Sequence, residues 1–127
     1  MDPLELNVAF TFIAVCAGSL LFLIAAVGQS RRSARVLRGD GGDRELFKRI
    51  RIHGNFIENA PLMALVILSA EMLGIADPWL WAAVVSFFAG RIHHFIRYDS
   101  AKRALGMVLT TAPALALGVA VLFRLWA

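Results

Sequence analysis

Two long runs without a charged residue constrain the fold of this chain more than any other feature of its sequence. Leu6–Ser30 and Ala104–Phe123 each span at least 20 residues and contain no Asp, Glu, Lys or Arg. About 20 apolar residues in a helix cross a hydrocarbon core of roughly 30 Å. Two shorter apolar runs, Asn59–Ala70 and Pro78–Gly90, lie between them. The pattern predicts an all-α integral membrane four-helix bundle, with residues 1–127 forming a single domain.

The composition leaves no room for a soluble domain beside these helices. Of the 127 residues, 59% are hydrophobic and the mean hydropathy is +0.70, whereas soluble domains hold about 45–50% apolar residues. The segment before the first run carries Asp2 and Glu5 and no basic residue. Since a cleaved signal peptide has a basic leader and a shorter apolar core, we expect the first run to remain a helix of the mature protein.

The basic residues are distributed unevenly about the predicted helices. Twelve of the thirteen fall within Arg31–Arg51 and Arg91–Arg103, and only Arg124 lies at the opposite end. The positive-inside rule then places the 1–2 and 3–4 loops in the cytoplasm and both termini outside. A basic face can also bind nucleic acid, but membrane topology and attraction to anionic headgroups explain it more simply. We therefore expect no nucleic-acid partner.

Turn-forming residues predict where the helices begin and end. Glycines and aspartates in Arg38–Glu45 favour a loop, and Gly74 with Asp77-Pro78 favours a short turn. The predicted helices are Leu6–Arg35, Asp43–Leu73, Pro78–Tyr98 and a fourth that ends at Trp126.

Prolines and small residues predict local features within these helices. Pro61 and Pro113 each remove one backbone hydrogen bond and are expected to kink their helices, with the Thr110 hydroxyl available near the second kink. Close approach between helices is expected where small residues are spaced by four, at Ala14/Gly18 and Ala114/Gly118.

Two polar stripes lie at the basic end of the second and third helices. Arg51, Asn55 and Glu58 are spaced i, i+4, i+7, and Arg91, His94 and Tyr98 are spaced i, i+3, i+7. Each spacing places its residues on one helix face. The stripes could merely anchor helix ends, but charged groups at membrane depth usually face a cavity or a bundle interior. We expect both stripes to line one cavity, within a subunit or across a subunit boundary.

The side chains of these stripes suit a zwitterionic ligand. Arginines hold carboxylates through paired hydrogen bonds, and Glu58 could accept an ammonium group. A metal site is not expected, because His53 and Glu58 do not share a face, His93 and His94 diverge, and Cys16 is remote. No serine or cysteine nucleophile is arranged for a catalytic triad.

Two motifs resemble a known membrane family. "RIHGNFIEN", residues 51–59, resembles the helix-2 motif of the MAPEG family, the membrane-associated proteins in eicosanoid and glutathione metabolism, and "GRIHHFIRY", residues 90–98, resembles its helix-3 motif. The version with His94 is similar to microsomal glutathione transferases and microsomal prostaglandin E synthase. "RIHGN" and the preceding "GDGG" are most similar to small bacterial inner-membrane members.

The resemblance implies a homotrimer in a bacterial inner membrane, with glutathione as co-substrate bound between subunits and open to the cytoplasm. By position in the motifs, it implies glutathione contacts from Arg51, Asn55 and Glu58 on one wall and from Arg91, His94 and Tyr98 on the other. His53 and either Arg31 or Arg32 match further family positions that reach the ligand or a neighbouring subunit.

The resemblance also implies the chemistry. The thiolate of glutathione, stabilised by Tyr98 and Arg103, would attack a hydrophobic electrophile or reduce a lipid hydroperoxide. Arg103 follows Tyr98 more closely than the corresponding arginine of other members, and Leu105 stands where charge is expected. Asn59 replaces the tyrosine of leukotriene-forming members, which argues against that activity. The family also contains a non-catalytic lipid-binding member, so a module that binds lipid or stabilises a partner is the alternative.

Overall fold

The computed structural model describes residues 5–127, and within that range the chain is entirely helical, without a strand. The four helices are α1 (Asn7–Ala34), α2 (Arg44–Met72), α3 (Asp77–Ile96) and α4 (Arg103–Trp126). The all-α prediction is confirmed, and the helix bounds follow the predicted ones closely. The clearest difference is at the end of α3, where Arg97–Asp99 form a turn and Tyr98 lies outside the helix.

The helices run antiparallel to their neighbours in chain order. Most contacts join α1 to α2 and α3 to α4, and α2 also packs on α4 and α3. The loop Arg35–Asp43 and the α3–α4 connection therefore meet at one end, here called the basic end. The start of α1, the α2–α3 connection and the end of α4 meet at the other, here called the termini end. The aromatic core lies between them, with the Phe12 and Phe87 rings 5.1 Å apart and both fully buried.

A carboxylate from α2 caps the beginning of α1. Glu71 Oε1 accepts a hydrogen bond from Val8 N at 2.9 Å, and Oε2 accepts one from Ala9 N at 2.8 Å. Leu6, at the N-cap position, offers no side-chain bond of its own. Because the first N–H groups of a helix lack intrahelical partners and carry partial positive charge, Glu71 satisfies two of them and fastens α1 to the far end of α2.

Two glycines bring α3 and α4 into backbone contact. A Cβ added at Gly90 would lie 2.7 Å from Gly106 O, and one added at Gly106 would lie 2.9 Å from Gly90 O. No larger side chain fits between these backbones. The glycines of the two predicted small-residue pairs, Ala14/Gly18 and Ala114/Gly118, are less crowded. A Cβ at Gly18 or Gly118 would meet nothing within 4 Å. Neither glycine is in close contact with another helix of residues 5–127.

Helix α4 continues through Pro113, and α3 supplies a hydrogen bond to the carbonyl that the proline leaves free. A proline at position 113 cannot donate to the carbonyl of Leu109, and Ser86 Oγ donates to that oxygen at 2.8 Å. The expectation that Thr110 serves this kink is wrong, since its hydroxyl donates to Gly106 O at 2.7 Å. Helix α2 likewise runs without a break through Pro61.

The loop between α1 and α2 turns as its glycines predict. Gly39, Gly41 and Gly42 all have positive φ, and Arg35 adopts the left-handed conformation that ends α1. Asp43 then caps α2, its side chain accepting from Leu46 N at 2.7 Å.

Two of the helices in the described range, α1 and α4, are long and apolar enough to cross a membrane by length and composition. Helices α2 and α3 do not meet the same criteria. Each has charged or imidazole side chains along its length, among them Arg51, Glu58, Arg91 and His94. These side chains lower the mean hydropathy of the helix.

Candidate functional site

Arg91 lies at the centre of the polar residues near the basic end. Its side chain leaves α3 beside the Gly90–Gly106 contact, and the residue is only 9% exposed. Nη1 donates to Asn55 Oδ1 on α2, and Nε donates to Thr110 Oγ1 on α4 at 2.9 Å. One guanidinium therefore joins three helices, and it connects the two predicted stripes through Asn55.

The surroundings of Arg91 orient its guanidinium without neutralising it. The Thr110 hydroxyl gives its own hydrogen to Gly106 O, so its oxygen faces Arg91 as an acceptor. Within residues 5–127, the one hydrogen-bond acceptor of Arg91 Nη2 is the Met107 sulfur, at 3.6 Å, and thioether sulfur is a weak acceptor. No carboxylate of residues 5–127 lies within 4.0 Å of the guanidinium. The unused N–H donors of this buried guanidinium can accept an anion as hydrogen-bond partner.

His94 and Tyr98 continue the α3 face towards the basic end. His94 is 7% exposed, and its Nδ1 is buried without a hydrogen-bond partner among the described residues. Its ring meets the Tyr98 ring edge to face, with centroids 5.6 Å apart. The predicted second stripe therefore forms one continuous surface, although Tyr98 reaches it from the turn after α3.

Two cations flank Tyr98. Lys48 Nζ and the Arg103 guanidinium each lie 5.9 Å from the centre of its ring. Lys48 also pairs with Asp99 at 3.0 Å, and Arg44 lies 3.9 Å from the same carboxylate. Arg103 thus lies beside Tyr98, although it follows Tyr98 in the sequence more closely than the corresponding arginine does in the family that the motifs resemble. Sequence reasoning missed Lys48, whose only signal was its position two turns before Asn55 on the same helix.

Arg51 and Glu58, by contrast, make no hydrogen bond to Arg91. Both are exposed, and neither forms a hydrogen bond or ion pair with any residue of the described range. Glu58 lies midway along α2. Of the predicted α2 stripe, only Asn55 is therefore brought to Arg91 within one chain.

The remaining predicted ligands lie further from Arg91. Arg31 Nη1 donates to Gly39 O at 2.7 Å and so helps to close the α1–α2 loop. Arg32 is exposed, and His53 is half-buried with no side-chain hydrogen bond to the described residues. Nothing in residues 5–127 gathers three or more His, Cys, Asp or Glu side chains at metal-binding distance.

An apolar groove leads to Arg91 from between α1 and α3. Its volume is about 830 Å³, and Phe22, Phe88 and Phe95 form much of its walls. Arg91 and His94 are the only ionisable residues in its lining, while Arg51 and Glu58 lie outside it.

The whole constellation falls within a match to a known family. The family model described as "MAPEG family" matches residues 9–123, nearly the whole chain. The chain belongs to the MAPEG family. Two relatives, both named "Inner membrane protein YecN", come from Escherichia coli strains K12 and O6:H1 (CFT073). Each is 37% identical over 100 residues, covering 76% of this chain and 73% of the relative. No solved structure matches the chain significantly.

Membership of the MAPEG family and its apolar helices make this a membrane protein. Within the MAPEG match, the motifs from α2 and α3 meet through the hydrogen bond between Asn55 and Arg91. The same fold leaves Arg51 and Glu58 exposed. The candidate site therefore has a buried half completed within the chain and an exposed half that the chain does not cover.

Proposed function

We propose that this protein is a glutathione-dependent membrane transferase or peroxidase that acts on hydrophobic electrophiles or lipid hydroperoxides. The observation that supports it most is the buried Arg91 guanidinium, held by Asn55 and Thr110 and lacking a carboxylate among the described residues. Glutathione carries two carboxylates and one ammonium group. A carboxylate on Arg91 would supply the missing counter-charge through charge-assisted hydrogen bonds.

The exposed half of the site supports a subunit-boundary location. A carboxylate and a guanidinium facing hydrocarbon are costly, so Glu58 and Arg51 need cover from another chain or from an aqueous cavity. We propose a homotrimer in which a neighbouring subunit closes this face. Arg51 would then bind a second carboxylate and Glu58 the ammonium group. His53, Arg31 and Arg32 belong to the rim of the same proposed site.

The proposed chemistry takes place at the glutathione sulfur. A free thiol of this kind has a pKa near 8.5, so a positively charged or hydrogen-bonding neighbour is needed to hold the thiolate at neutral pH. Tyr98 and Arg103, adjacent at the basic end, are the proposed donors, with His94 packed behind Tyr98. An apolar electrophile would enter from the bilayer through the α1–α3 groove and meet the sulfur beside His94, which lines the groove and contacts Tyr98.

The proposed orientation follows from charge. Twelve of thirteen basic residues belong to the basic end, so we propose that this end faces the cytoplasm of a bacterium and that both termini lie outside. Glutathione would enter from the cytoplasm.

The alternative function is a non-catalytic module that binds lipid or stabilises a partner. The observation that favours it is the groove itself, which at about 830 Å³ has room for an apolar ligand and is walled mainly by aliphatic and aromatic side chains. In that case, Arg91 would hold a lipid headgroup or carboxylate.

Ultraviolet titration of the detergent-solubilised protein with glutathione tests the proposal. We expect a saturable thiolate absorbance at neutral pH, lost in Arg91→Gln and kept in the control Arg97→Gln, an exposed basic residue that follows α3. Binding without thiolate would support the non-catalytic alternative. Absence of binding, or equal signals from both variants, would contradict the glutathione site.

A further inference from the structure

A second groove, separate from the site around Arg91, runs along the opposite half of the bundle between α3 and α4. Its inner part, about 560 Å³, begins at Ser86 and Pro113, and its outer part, about 450 Å³, ends at Arg124. The two parts share Ile75, Trp79 and two residues of α4, so they form one continuous groove. We refer to it as the alanine groove, because its inner lining includes Ala82, Ala83, Ala112, Ala116 and Ala120.

The length of the alanine groove matches one leaflet of a bilayer. Helix α4 rises about 16 Å between Pro113 and Arg124 at about 1.5 Å per residue. Half of a hydrocarbon core of roughly 30 Å is about 15 Å. The small alanine side chains leave a groove along this rise, and Trp79, 71% exposed, lies where its inner and outer parts meet. Tryptophans favour the membrane interface.

A single cation marks the outer end of the alanine groove. Arg124 is the only basic residue of the last helical turn, and its side chain makes no hydrogen bond or ion pair with any residue from 5 to 127. The ion pairs of the described chain all lie at the basic end instead. A guanidinium with five free donors at headgroup depth is complementary to a phosphate.

From this length and this charge we propose that the alanine groove is a binding site for one phospholipid of the adjacent leaflet. An acyl chain lies in the channel between α3 and α4, and the phosphate accepts hydrogen bonds from Arg124. The site is independent of the glutathione proposal, since it shares no residue with the α1–α3 groove.

Native mass spectrometry of the full chain in detergent tests this site with two probes. The first is phosphatidylglycerol with one palmitoyl and one oleoyl chain, and the second is diacylglycerol with the same chains and no phosphate. We expect saturable binding of about one phosphatidylglycerol per chain, roughly tenfold tighter than that of diacylglycerol, because a charge-assisted contact is lost. Equal affinities for the two probes would overturn the assignment of the phosphate to Arg124.

Matched variants separate the headgroup from the acyl chain. Arg124→Gln should lower phosphatidylglycerol affinity to the diacylglycerol level, while Arg97→Gln should not change it. Ala82→Leu, which places a larger side chain in the groove, should weaken both probes. Ala89→Leu, at an exposed alanine two turns further along α3 and outside the lining, should weaken neither. Unchanged lipid binding in Ala82→Leu would overturn the proposal. An altered number of chains per particle in this variant would also overturn it, in favour of packing between copies of the chain.

Discussion

At the scale of single residues, carboxylates in this protein differ sharply in what surrounds them. Glu71 accepts two backbone hydrogen bonds at the start of α1, whereas Glu45 pairs with Arg49 on the surface. We expect Glu71→Gln to lower the free energy of unfolding by about 1–2 kcal/mol, since it removes the charge from a helix N-terminus. Glu45→Gln should cost about 0–1 kcal/mol. Denaturation of both variants in detergent micelles measures the two free energies of unfolding. An equal loss in the two variants would show that the Glu71 cap does not stabilise the fold.

A prediction about Tyr98 tests the proposed chemistry at the glutathione sulfur and rests on the proposed function. Its phenol would donate to the glutathione thiolate, an interaction that matters more once the thiol has lost its proton. We expect Tyr98→Phe to lower turnover roughly tenfold, as the loss of one charge-assisted hydrogen bond implies, while the Kd for glutathione changes little. Steady-state kinetics and equilibrium binding on the same preparation provide the two numbers. Equal losses in both would place Tyr98 in binding rather than at sulfur.

At the scale of helices, the sequence predicts the elements well and their contacts poorly. Apolar runs bounded by glycine, proline and aspartate determine where a helix can begin and end, and the observed bounds agree. Contacts between helices depend on which faces meet, which a single sequence does not specify. The Gly90–Gly106 approach and the Glu71 cap were therefore missed. The α3 stripe was predicted because helical spacing places Arg91 and His94 on one face, but spacing could not show that Tyr98 lies in the turn after α3 or that Arg51 makes no hydrogen bond to Arg91.

Ser86 illustrates an interhelical contact that can be measured directly. It donates to the Leu109 carbonyl that Pro113 leaves free, so Ser86→Ala should lower the free energy of unfolding by about 0.5–1.5 kcal/mol. In a Pro113→Ala background, the new backbone N–H can bond to Leu109 O, and Ser86→Ala should then cost clearly less. A double-mutant cycle on detergent-solubilised protein measures this coupling. The same cost in both backgrounds would mean that Ser86 does not compensate for the proline.

At the scale of the whole molecule, charged contacts and apolar contacts lie in different parts of the bundle. Ion pairs, the buried guanidinium and the Tyr98 cluster occupy the basic end. The aromatic core and the helix cap hold the other half together. A single chain leaves Arg51 and Glu58 exposed, without a hydrogen-bond or ion-pair partner among residues 5–127. The trimer is proposed because a neighbouring subunit would cover them.

The exposed side chains of Arg51 and Glu58 on α2 provide the test at this scale. If Arg51 and Glu58 bind glutathione at a subunit boundary, Arg51→Ala and Glu58→Gln should each weaken binding roughly tenfold, about 1.4 kcal/mol, because one charged contact is lost. In the proposed trimer, the particle mass from light scattering should remain that of three chains in both variants. Glu45→Gln is the control for charge at the basic end. Normal binding in both variants would show that the α2 stripe is not part of the site. A fall in particle mass would instead assign Arg51 and Glu58 to assembly.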